Sequence, residues 1–97
     1  MAEEKNFEQR IKQILKLRGA WFLKTHGNGY QRSGIPDLIV CYKGRFIGIE
    51  LKAEKGKTSR LQEFEIEEIR KADGIGMILK PSKIGEFLKM LEEFDKL

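Results

Sequence analysis

Apolar positions recur at helical spacing from Asn6 to Arg18, where Phe7, Ile11, Ile14 and Leu15 share one stripe, Asn6 and Gln9 offer a capping box, and Gly19 marks a stop. This predicts a first helix. The short aromatic-rich run Ala20 to Thr25 then reads as a strand, and His26-Gly27-Asn28-Gly29 as a loop. Two apolar, β-branched runs follow, Pro36 to Tyr42 and Arg45 to Ala53. Lys43-Gly44 between them predicts a hairpin.

After the polar loop Glu54-Lys55-Gly56-Lys57, Thr58 or Ser59 caps a second helix in which Leu61, Phe64, Ile69 and Ala72 are expected to share a buried face, ended by Gly74. Ile75 to Leu79 reads as a short buried strand. Pro81-Ser82 opens a last helix with Ile84, Phe87, Leu88, Leu91 and Phe94 at helical spacing. The order α-β-β-β-α-β-α describes an α/β fold, a mixed sheet flanked by helices, with the last strand parallel to a neighbour through a right-handed crossover.

Ninety-seven residues make one domain, residues 1–97, with an ordinary apolar fraction of 40% and charged fraction of 35%. Cys41 lies in the run Leu38-Ile39-Val40-Cys41-Tyr42 and reads as a small buried hydrophobe, and Trp21 as a core residue. A single thiol permits no internal disulfide, and no charged-apolar-small leader or long apolar span is present, so an intracellular, cytoplasmic, soluble protein without a membrane partner is expected. Nineteen Lys and Arg against fifteen Asp and Glu give a net charge of +4, which alone decides little. Placement matters more. Lys24, His26, Arg32, Lys52, Lys55, Lys57 and Arg60 fall in the first two thirds, a distribution that leans toward nucleic acid.

The chemistry concentrates in Asp37 at the start of one hairpin strand, Glu50-Leu51-Lys52 in the other, and Glu8 on the first helix. Alternation puts Glu50 and Lys52 on one face with Phe46 and Gly48, and Ile47, Ile49 and Leu51 on the opposite face. With Lys43-Gly44 as a two-residue turn, Tyr42 pairs with Arg45 and Asp37 falls opposite Glu50. Facing Cβ atoms would lie about 4.5 to 5.5 Å apart, where two carboxylates repel unless a cation sits between them. A three-residue turn with a bulge would instead put the acids on opposite faces.

Two carboxylates, water and a substrate phosphate suit Mg²⁺ or Mn²⁺, whereas zinc calls for His or Cys ligands, of which there is one each. Lys52 can stabilise charge on a phosphorane or help deprotonate the attacking water. The plainer alternative is an exposed Glu50/Lys52 strand ladder with Asp37 capping a turn after Pro36. Against it stands the cost of an unpaired acid in a central strand, several kcal/mol in order of magnitude.

Gly34-Ile35-Pro36-Asp37, twelve residues, then Glu50-Leu51-Lys52 resembles the PD-(D/E)XK nuclease superfamily. Arg32-Ser33-Gly34-Ile35-Pro36-Asp37 and the downstream Gln62 sharpen the likeness to the VRR-Nuc (virus-type replication-repair nuclease) family, over Glu8 to about Leu79. The resemblance implies a restriction-endonuclease-like fold and an endonuclease that hydrolyses DNA in replication or repair, with branched or junction substrates. It implies Asp37, Glu50 and the Leu51 backbone carbonyl as metal ligands and Lys52 as the catalytic lysine. Glu8 would orient metal-bound water and Gln62 would support the site. Gln62 equally fits a capping box with Ser59, and Glu8 a favourable place near a helix N-terminus. The loop Thr25 to Ser33, with His26, Asn28, Tyr30, Gln31 and Arg32, suits phosphate contacts or a plain connection. So small a domain on a branched substrate suggests a homodimer with two sites. The competing readings are a non-catalytic DNA- or RNA-binding module and a subunit of a larger repair or phage assembly.

Overall fold

The structure, a computed structural model, describes residues 2–26 and 31–97. Gly27, Asn28, Gly29 and Tyr30 of the expected phosphate loop lie outside the described residues. Helix α1 (Ala2–Leu17) is followed by strands β1 (Trp21–Lys24), β2 (Leu38–Tyr42) and β3 (Arg45–Leu51), helix α2 (Arg60–Lys71) and strand β4 (Ile75–Leu79). A short 3₁₀ turn (Pro81–Lys83) then leads into α3 (Ile84–Asp95). The element order and the mixed sheet flanked by helices match the expectation.

The sheet runs β1-β2-β3-β4, antiparallel except for the parallel β3–β4 pair that the α2 crossover requires. Phe7, Ile11 and Leu15 of α1 and Ile84, Phe87 and Leu91 of α3 cover one face, against Leu38, Val40, Tyr42, Ile47, Ile49, Leu51 and Leu79. Helix α2 covers the other face. There Gly48 and Gly76 leave it room, since a Cβ at either would fall 2.6 Å from Ile69 Cδ1 or the Ile66 carbonyl oxygen.

Several local expectations are corrected. Asn6 is no cap, because α1 begins at Ala2 and Asn6 is exposed within it. At the other end, Ala20 N–H bonds Leu15 O and Gly19 N–H bonds Lys16 O, closing the helix at Gly19. For α2 the left-handed residue is Asp73 (φ 68), with Gly74 one position later, packed where a Cβ would fall 2.9 Å from Ile69 Cγ2.

The inward face of α2 also differs from the expected one. Leu61 and Phe64 are 54% and 55% exposed and Ala72 is exposed, while Gln62, Glu65, Ile66 and Ile69 face the sheet. Helix α2 lies over the polar end of β3, so polar side chains turn inward and two apolar ones face out. Trp21 is 60% exposed and Cys41 is exposed for a related reason: α2 spans β3 and β4 and leaves the same face of β1 and β2 uncovered. Among the described residues no helix is long and apolar enough to cross a membrane.

Candidate active site

The hairpin sets the geometry. Lys43 (φ 52) and Gly44 (φ 78) both adopt positive φ, the two-residue turn whose twist suits a tight hairpin. Tyr42 pairs with Arg45 and the ladder runs without a bulge to Leu38 with Ile49. Asp37, one residue before β2, therefore meets the end of β3, where the Leu51 N–H donates to its Oδ2 at 2.9 Å. Its backbone is fixed too: the Asp37 carbonyl accepts from Thr25 N–H at 2.9 Å, and Thr25 Oγ1 donates to the Pro36 carbonyl at 2.8 Å.

Glu50 is 3% exposed in a central strand, so the exposed-ladder alternative does not describe it. Gln62 Nε2 donates to its Oε2 at 2.9 Å, and Lys52 Nζ lies 3.5 Å from the same oxygen. Oε1 is buried and has no hydrogen-bond partner among the described residues. Burial pushes the Glu50 carboxyl up to about 7; the nearby Asp37 carboxylate adds to the rise and the Lys52 ammonium opposes it. An orphaned carboxylate oxygen beside a second carboxylate is the unsatisfied arrangement that a divalent cation relieves.

Gln62 makes contacts of both kinds, to its helix cap and to Glu50. Its Oε1 accepts from the Ser59 N–H at 2.9 Å while its own N–H donates to Ser59 Oγ at 3.2 Å, completing the capping box of α2. The free end of the same amide holds Glu50. Glu8 sits in the second turn of α1 and is tied to Lys12 at 3.0 Å and Lys24 at 2.9 Å; Lys24 in turn lies 3.5 Å from Asp37 Oδ1. Burial raises the Glu8 carboxyl, but the two ammonium groups hold it below its ordinary value overall. Burial likewise lowers the Lys24 ammonium, yet Glu8 and Asp37 keep it above its usual range. Glu8 thus reaches the site through Lys24, which bridges two acids.

Of the residues expected on nucleic acid, Lys24, His26 and Arg32 line a cleft of about 440 Å³ that also contains Ser33, Gly34 and Asp37. Lys55, Lys57 and Arg60 are exposed between the end of β3 and the first residue of α2. Arg32 is engaged, forming a two-pronged ion pair with Glu65. Two residues escaped the sequence reading. Glu65 is a buried acid on α2 whose charge argued for the solvent side, although its spacing, four residues from both Leu61 and Ile69, was the signal that could have found it. Lys80 follows β4 beside Lys52, whose N–H bonds Leu79 O, and lines a cavity of about 450 Å³ with Lys57, Thr58 and Glu63. The parallel register of β3 and β4 was the signal available for Lys80.

Among the described residues no three His, Cys, Asp or Glu side chains converge as a metal cage. The two carboxylates, Asp37 and Glu50, could hold an oxygen-seeking divalent cation. An acid before one hairpin strand, facing Glu-x-Lys at the end of the next in a mixed sheet, is the arrangement of a VRR-Nuc-like nuclease of the PD-(D/E)XK class. The comparisons agree: a solved structure described as a VRR_NUC domain matches with a TM-score of 0.71 and 26% identity, over 98% of this chain and 92% of that one. The family model for the archaeal Holliday junction resolvase (Hjc) matches residues 2–75, and the chain belongs to that family. No curated protein matches the chain.

Proposed function

We propose that the chain, 1–97, is a single nuclease domain that hydrolyses DNA phosphodiester bonds at branched or four-way junctions with Mg²⁺ or Mn²⁺, as a homodimer serving replication or repair. The observation that carries this is Glu50 Oε1, buried and without a partner among the described residues, beside the Asp37 carboxylate whose charge helps to raise the Glu50 carboxyl. Those two side chains would hold the ion, with the Leu51 carbonyl adding a third oxygen as the resemblance implies. When bound, the ion lowers the pKa of an attacking water and draws charge from the phosphate.

The protein's own groups do the rest. Gln62 and the Leu51 N–H each hold one oxygen of their carboxylate; Glu50 Oε1 is left for the ion, which would share Asp37 Oδ1 with the Lys24 ammonium 3.5 Å away. Lys52, 17% exposed in its side chain, can swing its ammonium from Glu50 toward the phosphorane as negative charge builds there. In the hydrolysis, water oxygen bonds to phosphorus, the P–O bond to the leaving sugar oxygen breaks, and that oxygen takes a proton. Glu8 acts through Lys24 as a positioning residue. Lys55, Lys57 and Arg60 extend a positive strip beside Lys52 for the flanking phosphates.

The homodimer is supported by an apolar surface that no described residue of the chain covers. Trp21 and Leu23 are exposed on the face of β1 that α2 leaves open, Phe46 is exposed at the start of β3, and Leu61 and Phe64 are exposed on α2. A twofold partner lets the α2 residues of each copy cover the open sheet of the other, with an isologous contact. Incubating pure protein with labelled duplex, flap, three-way and four-way DNA, with and without Mn²⁺, tests the proposal. Metal-dependent cutting that favours the branched substrates is expected; binding without cutting in every metal would replace the enzyme by a DNA-binding module.

A further inference from the structure

Glu65 is 5% exposed on the sheet-facing side of α2, one turn after Gln62, where a lone carboxylate would be costly. Both its oxygens are taken by Arg32, Nε to Oε2 at 2.7 Å and Nη2 to Oε1 at 3.0 Å. This two-pronged, charge-assisted geometry fixes orientation as well as distance. Arg32 lies in the connection that leads into Asp37, and that connection is pressed onto the same helix. Gly34 has φ +92 and lies so close that a Cβ there would fall 2.5 Å from the Leu61 carbonyl oxygen. Pro36 is buried over Gly48 of β3.

The approach to Asp37 is therefore held on α2 at Arg32 and Gly34, and Glu50 is held on α2 at Gln62. From this we infer that Arg32 and Glu65 are a positioning pair for the metal site, with α2 as the common frame that sets where Asp37 stands relative to Glu50. Neither side chain touches the ion or the substrate. The inference rests on the metal-dependent reading above and assigns Arg32 differently from a phosphate contact, although its side chain is 74% exposed beside the Asp37 cleft.

Calorimetric Mn²⁺ binding, DNA binding in metal-free buffer and melting temperature, compared for wild type, Glu65→Gln and Arg32→Ala, test the pair. Both variants are expected to weaken Mn²⁺ binding by about 10-fold or more, in the range seen for groups that orient metal ligands, with Glu65→Gln leaving DNA affinity within about 2-fold. If Glu65→Gln does not fold, Glu65→Asp keeps the charge but shortens the reach, and is expected to weaken Mn²⁺ binding in the same direction. Unchanged Mn²⁺ affinity with a lowered melting temperature would overturn the proposal in favour of a purely structural clamp. Unchanged Mn²⁺ affinity with weaker DNA binding in Arg32→Ala alone would overturn it in favour of a phosphate contact. Both of these results require a wild type that binds Mn²⁺. A wild type that binds none would overturn the metal reading itself, and the pair's role with it.

Discussion

Gln62 joins the start of α2 to Glu50: one end of its amide caps the helix at Ser59 and the other donates to Glu50 Oε2 at 2.9 Å. Substitutions can separate the two duties. Gln62→Ala should lose about 1 kcal/mol of capping stability and slow cleavage by about 10- to 100-fold, as loss of a ligand-orienting group does. Gln62→Glu retains an acceptor for the Ser59 N–H but has no proton to give Glu50 at neutral pH. It should keep α2 helical by circular dichroism while cleaving as poorly as Gln62→Ala. Wild-type rates in Gln62→Glu would reduce the residue to a cap.

The raised Glu50 carboxyl makes the stability of metal-free protein depend on pH. Unfolded, this group titrates near 4.5, and folded near 7. Folding favours its protonated form, so its contribution is complete below about pH 4.5, is lost as pH rises toward 7, and stays lost above. The span corresponds to at most about 3 kcal/mol. Urea unfolding in chelator should find Glu50→Gln close to wild type at pH 4.5 and more stable by about 1–3 kcal/mol at pH 8. Mn²⁺ should close that gap by stabilising only the wild type. An equal difference at both pH values would place the cost of Glu50 elsewhere.

Lys52 is expected to act as charge develops. Lys52→Ala should slow single-turnover cleavage by about 100-fold or more and leave Mn²⁺ binding within a few-fold of wild type. Near-normal turnover would make Lys52 merely a counter-charge to Glu50.

Much of this site was legible in the sequence because β geometry is periodic. Once Lys43-Gly44 is read as a two-residue turn, counting along the hairpin places Asp37 opposite Glu50, one step beyond the last observed pair, Leu38 with Ile49. What could not be read depended on contacts between elements distant in the chain. The inward face of α2 follows from Gln62 and Glu65 having partners at Glu50 and Arg32, and no periodicity within α2 names those partners. The exposure of Trp21 and Cys41 follows from α2 covering only half a sheet face. The Lys24 bridge between Glu8 and Asp37 could not be read either, because it forms only when α1 packs against β1.

The uncovered apolar surface has a simple test. Phe64→Asp puts a charge where a partner's sheet face would pack, and should convert a dimer to a folded monomer by sedimentation. It should also lower paired cutting of a four-way junction more than nicking of a simpler branch. A wild type that sediments as a monomer at micromolar concentration would remove the homodimer.

On the proposed mechanism one divalent ion held between Asp37 and Glu50 drives cleavage. Single-turnover cutting of a labelled four-way junction across a Mn²⁺ titration, for wild type, Asp37→Ala and Glu50→Ala, is the decisive measurement. Saturable, chelator-sensitive cutting is expected of the wild type, and loss of cutting at every Mn²⁺ concentration in both variants, each of which remains folded. Cutting by either variant at the wild-type rate, or wild-type cutting undiminished by chelator, would contradict it.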